Sequence, residues 1–408
     1  MEKSGYWLYL EPYVFMNFDL RIVLVYNSIS GEYFKIEYNE ILLDIVRKLS
    51  DIQNMYSVYI DDFTFKDKVV YEFYNKLRDS FSGDIISVKD ISKPVILPPI
   101  CNIQNDIFKG VSDNFVLSKY LNELHIDLSN NNTTCQYCNY FVFRQLGFGG
   151  KENFSLTFDS VKMLLKNVPY TCKVFLFGLN LFECDFLGNL ISYLYEKKFQ
   201  IVLKICLEDI ICEPDKFFSL RDIDAHIYID SNQLKDLCYI EFLQEKSLQN
   251  NVNIEFVCGI TSENEYYRIV ELDRNESLSL APIYNGNNIQ FLKDFIYISE
   301  EDLKTIYLSR NNIFVNENLN VNTFGKLYCL ADGNIYSNLN VDALGDIYTP
   351  VNELIKRELE MKTSWFTIRN NVPICLNCAY NQICPSPSNY EFFLNKYDLC
   401  HLKSKIVE

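Results

Sequence analysis

The chain has 408 residues, a length that predicts two to four domains of ordinary size. Hydrophobic residues make up 48% of it and charged residues 23%, a composition that excludes wholesale disorder. The 54 acidic and 38 basic side chains leave a net charge of −16, and an acidic chain without a basic run is a poor candidate for binding nucleic acid or an anionic membrane.

The N-terminus lacks an uninterrupted apolar region and a small-residue cleavage site, so its pattern does not indicate a signal peptide. Nor does any stretch approach the roughly 18 apolar residues of a membrane span. We therefore expect a cytoplasmic protein. The chain has fourteen cysteines, too few for a disulfide scaffold. In a reducing compartment, clustered cysteines indicate metal or redox sites before disulfides.

Residues 1–92 predict a small α+β module. It begins with three strand-like runs rich in Val, Tyr, Phe and Ile, which turn residues separate. These runs cover 13–19, 21–27 and 32–38. Asn39 suits the N-cap of a helix over 40–49, and a second apolar stripe predicts a helix near 66–81. Both stripes are typical of a core rather than of a binding surface.

Three prolines between residues 94 and 99 predict an extended linker, 93–115. From 116 to 310, apolar runs that suit strands alternate with helical patterns. The strand candidates are 121–128, 173–179, 199–206, 225–229, 252–259 and 278–283. The helical patterns cover 158–167, 185–197, 233–244 and 262–274. This alternation implies a parallel sheet, and six such units can curl into a partial barrel.

The last part of the chain, 311–408, is turn-rich and ends in a cysteine cluster, which we call the C-terminal cysteines. They are Cys375, Cys378, Cys384 and Cys400. Four thiolates can close around one metal centre, and such soft donors suit tetrahedral zinc or an iron–sulfur cluster. Their close spacing in a loop is not typical of buried core cysteines, which are the alternative. Spacing alone does not separate zinc from a [4Fe–4S] cluster.

A second pair, Cys135 and Cys138, follows the first predicted barrel strand, where a barrel loop faces the active site. Two cysteines do not complete a four-coordinate centre without further ligands. The three histidines, His125, His226 and His401, show no metal or triad spacing, and we expect the first two to be core or barrel-lining residues. No phosphate-binding loop or dinucleotide fingerprint is present in the sequence.

These motifs resemble those of radical-SAM peptide maturases with a C-terminal SPASM domain. That superfamily carries C-x3-C-x-aromatic-C after barrel strand one, and here the first cysteine position holds Asn131, before Cys135 and Cys138. After barrel strand two, the family's Gly-Gly-Glu corresponds to Phe-Gly-Leu-Asn at 177–180, without the glutamate. The resemblance implies that Asn131, Cys135 and Cys138 mark a degenerate, empty cluster site and that S-adenosylmethionine is not used.

The C-terminal cysteines match the SPASM set that usually holds the distal auxiliary cluster, so the resemblance implies one [4Fe–4S] cluster there, with zinc as the alternative. The proximal set is largely absent. Pro350 and Ser388 stand at its cysteine positions, and Cys329 is at most one surviving ligand.

The N-terminal module is similar to the PqqD-like element, a winged-helix unit that binds leader peptides, in its order of three strands followed by helices. Leader peptides usually add a strand to the third strand, beside the last helix. Carried over, this points to 32–38 and 66–81. A plain structural cap is the alternative.

The resemblance is closest to the pseudo-radical-SAM SPASM proteins encoded beside active maturases of GG-type precursors in Bacteroidales. It implies an α/β fold in four parts. These are a PqqD-like module over 1–92, a linker over 93–115, a degenerate radical-SAM partial (β/α)6 TIM-like barrel over 116–310, and a SPASM auxiliary-cluster domain over 311–408.

The implied function is that of a non-catalytic accessory protein in the maturation of a ribosomally synthesised, post-translationally modified peptide. Its partners would be the precursor's leader peptide and an active radical-SAM maturase, with neither nucleic acid nor membrane. The alternative is a catalytically active radical-SAM/SPASM maturase with a variant cluster site, completed by Asn131 or by a partner.

Overall fold

The computed structural model describes residues 4–99, 117–129, 145, 156–178, 180–230, 237–273 and 278–402. Asn131, Cys135 and Cys138 lie outside the described residues, as does most of the predicted linker. Over the described ranges the fold is mixed α/β, and its strands form three sheets. No helix of these ranges is long and apolar enough to cross a membrane.

The N-terminal part contains two three-stranded antiparallel sheets around one apolar core. Its strands are β1 (Tyr6–Leu10), β2 (Val14–Phe18), β3 (Ile22–Asn27), β4 (Tyr33–Glu37), β5 (Ser57–Ile60) and β6 (Gly83–Ser87). Its helices are α1 (Glu40–Ser50), α2 (Asp62–Phe65) and α3 (Lys68–Asp79). One sheet has the order β2-β3-β4 and the other β5-β1-β6. The three predicted strands and two predicted helices are confirmed, whereas β1, β5 and β6 were not predicted.

Local chemistry explains where the two long N-terminal helices begin. The Asn39 side chain accepts a hydrogen bond from the Leu42 N–H, and that of Asp67 accepts from Val69 and Val70. These bonds satisfy amide groups that have no partner in the first helical turn. The predicted apolar stripe of α3 is buried against the sheets, with Phe73 and Leu77 fully covered.

The second part is a βα alternation. Its strands are β7 (Glu123–Asp127), β8 (Lys173–Phe177), β9 (Gln200–Cys206), β10 (Asp224–Asp230), β11 (Asn253–Ile260) and β12 (Leu278–Pro282). Its helices are α4 (Phe158–Leu165), α5 (Leu187–Glu196), α6 (Leu207–Cys212), α7 (Pro214–Phe218), α8 (Leu237–Gln249) and α9 (Glu263–Leu272). All six predicted strands are confirmed, and neighbouring strands are parallel, as the alternation implies.

The C-terminal part extends this sheet. Strand β13 (Lys326–Cys329) lies parallel to β7, and the antiparallel strands β14 (Asn334–Tyr336) and β15 (Gly345–Asp346) follow it. In the described chain the sheet therefore has nine strands, in the order β12-β11-β10-β9-β8-β7-β13-β14-β15. The hairpin turn between β13 and β14 requires Gly333, whose φ is +86°. The α/β class is thus confirmed, and residues from both sides of position 310 share one sheet.

Short helices complete the chain. They are α10 (Ile289–Phe295), α11 (Glu300–Thr305), α12 (Arg310–Asn316), α13 (Val351–Met361), α14 (Pro373–Leu376) and α15 (Asn389–Leu394), with 3-10 turns at Ile52–Asn54, Leu117–Tyr120, Leu181–Glu183 and Arg369–Asn371. Helix α13 packs on the large sheet through Leu354, Ile355 and Leu359. Trp365, which is fully buried, donates from Nε1 to the Lys326 carbonyl. These contacts bind the turn-rich C-terminal part to the sheet.

Candidate metal centre

The four C-terminal cysteines line one enclosed cavity of about 20 Å³. Cys375 lies in α14, Cys378 and Cys384 lie in the turns that follow, and Cys400 comes from a separate extended segment. Cys375 and Cys384 are buried, and the other two are half-buried. The structure therefore brings together all four residues that the spacing predicted as ligands.

Tight backbone turns place three of these cysteines. The Cys378 N–H donates to the Cys375 carbonyl at 3.0 Å, and the Cys384 N–H donates to the Tyr380 carbonyl at 2.9 Å. The Asn381 side chain closes the turn by donating to the Cys375 carbonyl at 2.8 Å. Because the chain coils back on itself, the three cysteines of the segment 375–384 line the same cavity.

Backbone pairing brings Cys400 to the same point. The Ile298 N–H donates to the Leu399 carbonyl, and the His401 N–H donates to the Ile298 carbonyl, on either side of Cys400. Ile298 lies two residues before the first residue of α11, so Cys400 is held by a segment about a hundred residues earlier in the chain.

Burial raises the pKa of Cys378 to about 11 and that of Cys384 to about 12. Burial also raises the pKa of Cys375, and the nearby Arg369 guanidinium opposes this shift for Cys375 and Cys384. Without a metal these thiols are protonated at neutral pH, so a metal ion must displace their protons on binding.

The chemistry of the donor set fits a thiolate-bound metal, because the sulfur donors that line this cavity all come from cysteines. Within the described ranges, no three potential ligands stand close enough to form a preassembled ion site. The residues that would hold the group are the C-terminal cysteines, and both zinc and a [4Fe–4S] cluster remain compatible with them.

The positions that lack SPASM proximal ligands have structural roles. Pro350 precedes α13 as its N-cap, and Ser388 caps α15 with Glu391 in a capping box. Cys329 is fully buried in the main apolar core on β13. None of the three lines the cavity of the C-terminal cysteines.

The end of β8, where the sequence has the stretch Phe-Gly-Leu-Asn compared above with Gly-Gly-Glu, closely approaches the end of β7. Gly178 has a φ of +152°, and a Cβ there would lie 2.5 Å from the Ser129 nitrogen. Asn180 adopts the left-handed region, with a φ of +51°. The glycine is thus required by backbone geometry at this position, whatever the loop binds.

We expect Gly178→Ala to destabilise the protein by about 1–3 kcal/mol, because an alanine would strain this backbone conformation. Urea unfolding measures the effect. Gly188→Ala in α5 is the control, since a Cβ there meets nothing within 4 Å. A Gly178→Ala variant as stable as the wild type would contradict the close approach of β7 and β8.

Sequence reasoning missed a charged cluster on the sheet face opposite the helices. The buried ring of His125 is stacked between Phe175 and Tyr328, and its Nε2 lies 3.0 Å from a Glu123 carboxylate oxygen. Burial lowers the pKa of His125 to about 3, so the ring is neutral. The alternation of Glu, His and Asp with Leu and Ile in β7 was the available signal.

Two more ionisable groups belong to this face. Burial lowers the pKa of Lys204 to about 8, and burial raises the pKa of Asp127 to about 7. Burial opposes ionisation of Glu123, but His125 and Lys326 outweigh it and lower its pKa to about 2. His226, which was expected to be a core or barrel-lining residue, lies 3.5 Å from Glu255. The negative charge of Glu123 is thus partly compensated by Lys326 and Lys204 on the same face.

Strand β4 is the outer strand of its sheet in the described chain. The Asn27 N–H donates to the Glu32 carbonyl and the Tyr38 N–H to that of Arg21, which sets the hydrogen-bonding alternation of β3 and β4. By that alternation, the backbone groups of Tyr33, Lys35 and Glu37 point away from the sheet. The Lys35 carbonyl accepts a hydrogen bond from the Lys76 side chain of α3 at 3.2 Å.

The sheet that contains β4 packs against the region of the C-terminal cysteines. The Asn17 amide donates to the Cys378 carbonyl at 3.1 Å, and Lys35 pairs with Glu300 at 2.5 Å. The Tyr33 and Tyr380 rings meet edge to face. A cleft of about 390 Å³ lies between this sheet and the C-terminal part of the chain, and Lys35, Tyr380 and His401 are among the residues that line it.

No protein-family model matches the chain, and no curated protein matches it. Among solved structures, the crystal structure of SuiB from Streptococcus suis is similar, with 12% sequence identity and a TM-score of 0.42. The match covers 98% of this chain and 100% of that one. Identity and score at this level do not indicate a shared function.

Proposed function

We propose that the protein is a non-catalytic accessory protein in the maturation of a ribosomally synthesised, post-translationally modified peptide. It would bind the precursor's leader segment and an active radical-SAM maturase, and hold one [4Fe–4S] cluster at the C-terminal cysteines. The observation that supports this best is that those four cysteines line one cavity, in contact with a sheet whose outer strand β4 pairs with no further strand among the described residues.

The open edge of β4 supports peptide binding. An extended peptide adds to such an edge through main-chain hydrogen bonds, and side-chain pockets then supply specificity. The outward N–H groups of Tyr33, Lys35 and Glu37 and the carbonyls of Tyr33 and Glu37 provide the first requirement, whereas the Lys35 carbonyl already accepts from Lys76. The cleft beside Lys35 and Tyr380 provides a pocket on the same sheet.

The absence of catalysis is proposed from the sequence. Asn131 replaces the first thiolate of the radical-SAM signature, and the glutamate expected after β8 is missing. A neutral amide is a much weaker ligand for iron than a thiolate, so we propose that this site is empty and that S-adenosylmethionine is not used. In the proposed organisation, a PqqD-like module (1–92), a linker (93–115), a degenerate partial barrel (116–310) and a SPASM-type domain (311–408) follow one another.

In this arrangement the cluster supplies a covalent cross-link between distant segments. The four cysteines line the cavity. Backbone hydrogen bonds of Ile298 hold the segment of Cys400, and the Asn17 side chain binds the Cys378 carbonyl from the first sheet. The binding energy of the centre would thus contribute to folding of the surface that meets the peptide.

Anaerobic purification followed by iron, sulfide and zinc analysis tests the proposal. We expect about four irons and four sulfides per chain, the content of one cluster. About one zinc per chain without iron would establish the zinc alternative. About eight irons, together with formation of 5′-deoxyadenosine from S-adenosylmethionine, would establish the active-enzyme alternative. A chain that holds none of these metals would overturn the metal centre.

A further inference from the structure

A buried ion pair lies beside the C-terminal cysteines. The guanidinium of Arg369 binds the carboxylate of Glu391 through two parallel contacts, Nη1 to Oε1 at 2.6 Å and Nη2 to Oε2 at 3.0 Å. The side chains are only 7% and 3% exposed. Burying two charges is expensive, and such a pair is often replaceable by apolar residues at no cost in stability. Glu391 also accepts from the Ser388 N–H at 2.8 Å in the capping box of α15, a role that a neutral glutamine could fill, so the cap does not account for the buried charge.

The other contacts of the Arg369 side chain are with the segments that carry the cysteines. Its Nε donates to the carbonyl of Pro385, the residue after Cys384, at 2.7 Å. Its Nη1 donates to the Tyr397 carbonyl at 3.3 Å, in the segment that leads to Cys400, and lies 4.0 Å from the Cys375 sulfur. One side chain thus contacts all three stretches of chain that supply ligands, and it lines the same cavity.

The negative charge of the proposed centre explains why a positively charged side chain such as Arg369 would be placed beside it. Four thiolates around Zn²⁺ or around an oxidised [4Fe–4S] core leave a net charge of about −2 in a largely buried place. A cation in the shell around the ligands stabilises such a centre, and its carboxylate partner sets how much of that positive charge the centre experiences. The arginine has five donors in a fixed plane and is always protonated.

We propose that Arg369, oriented and partly neutralised by Glu391, is the positioning and charge-compensating residue of the cysteine centre. This inference rests on the proposed metal centre. It predicts effects of opposite sign for the two partners. Loss of the cation weakens metal binding, whereas loss of the carboxylate charge leaves more positive charge facing the thiolates and strengthens it.

The test uses full-length apoprotein, prepared anaerobically, and measures its affinity for Zn²⁺ by competition with a chromogenic chelator at fixed pH. We expect Arg369→Gln to weaken binding by about 10–100-fold, as for other residues that support metal ligands. We expect Glu391→Gln, which keeps the shape of the side chain, to strengthen it by several-fold. Arg357→Gln is the matched control, because Arg357 bonds Leu344 and Glu353, outside the cavity.

The outcomes separate the two proposals. A wild-type protein that takes up no Zn²⁺ would overturn the metal centre and this inference with it. If the wild type binds Zn²⁺ but both variants lose affinity together, the pair is a structural clamp, and charge compensation is wrong. Charge compensation is also wrong if both variants bind Zn²⁺ with the affinity of the wild type. Where the purified protein contains iron, the midpoint potentials should shift likewise: lower for Arg369→Gln and higher for Glu391→Gln.

Discussion

Replacing Cys384 by serine is expected to empty the C-terminal metal centre and to lower the melting temperature of the protein. Cys384 is buried and is one of four sulfurs around a single cavity, so a metal there is left with three thiolate ligands. In small zinc domains about 10–16 kcal/mol of metal-binding free energy is folding free energy. We expect a loss of several kcal/mol, concentrated in the part of the chain after residue 310.

Metal analysis and thermal unfolding of the same preparations measure this effect. Cys212→Ser is the matched control, because it makes the same chemical change at an exposed cysteine of α6, away from the cavity. The control should keep the wild-type metal content and melting temperature. A Cys384→Ser protein that does the same would show that the ligand assignment is wrong.

The parallel strands were predictable because each is a short apolar run between helical stripes. Strands β7 to β12 are buried on the helix-facing side, and their side chains leave a clear local pattern in the sequence. The join between β7 and β13 was not predictable, because it pairs Glu123–Asp127 with a four-residue strand some two hundred residues later. Such a pairing depends on tertiary packing, which local propensity does not encode.

The N-terminal part shows a similar limit. Strand β1 pairs with β5 and β6, which have only four and five residues, so this sheet depends on pairing between segments that are far apart in sequence. Their buried residues, such as Leu8 and Val58, share a core with β2, β3 and α3. The predicted order of three strands followed by helices is therefore correct for β2 to β4 but incomplete for the whole module.

Only some features of the candidate site could be predicted from the sequence. The spacing of Cys375, Cys378 and Cys384 predicted their convergence, because tight turns connect neighbours in sequence. Arg369 and Glu391 have no diagnostic spacing, and only the fold reveals that they meet beside these cysteines. The open edge of β4 also became visible only with the sheet order, since a strand pattern does not tell an outer strand from a central one.

Replacing Lys35 by proline is expected to abolish most of the proposed leader-peptide binding while leaving the fold intact. The Lys35 N–H points away from the sheet, and proline is tolerated on edge strands at such positions. The change removes a donor that an added strand needs, and the ring obstructs its approach. One lost hydrogen bond costs about 0.5–1.5 kcal/mol. With the steric obstruction added, we expect at least a roughly tenfold weaker affinity, equivalent to about 1.4 kcal/mol.

Fluorescence anisotropy with a labelled synthetic leader segment of a GG-type precursor measures this affinity. Lys35→Ala is the matched control: it loses the same partly exposed ion pair with Glu300, worth about 0–1 kcal/mol, but keeps the backbone donor. Thermal unfolding should give similar melting temperatures for the two variants. Equal peptide affinities in proline and alanine variants would place the peptide elsewhere on the molecule, because strand addition at β4 requires the Lys35 N–H.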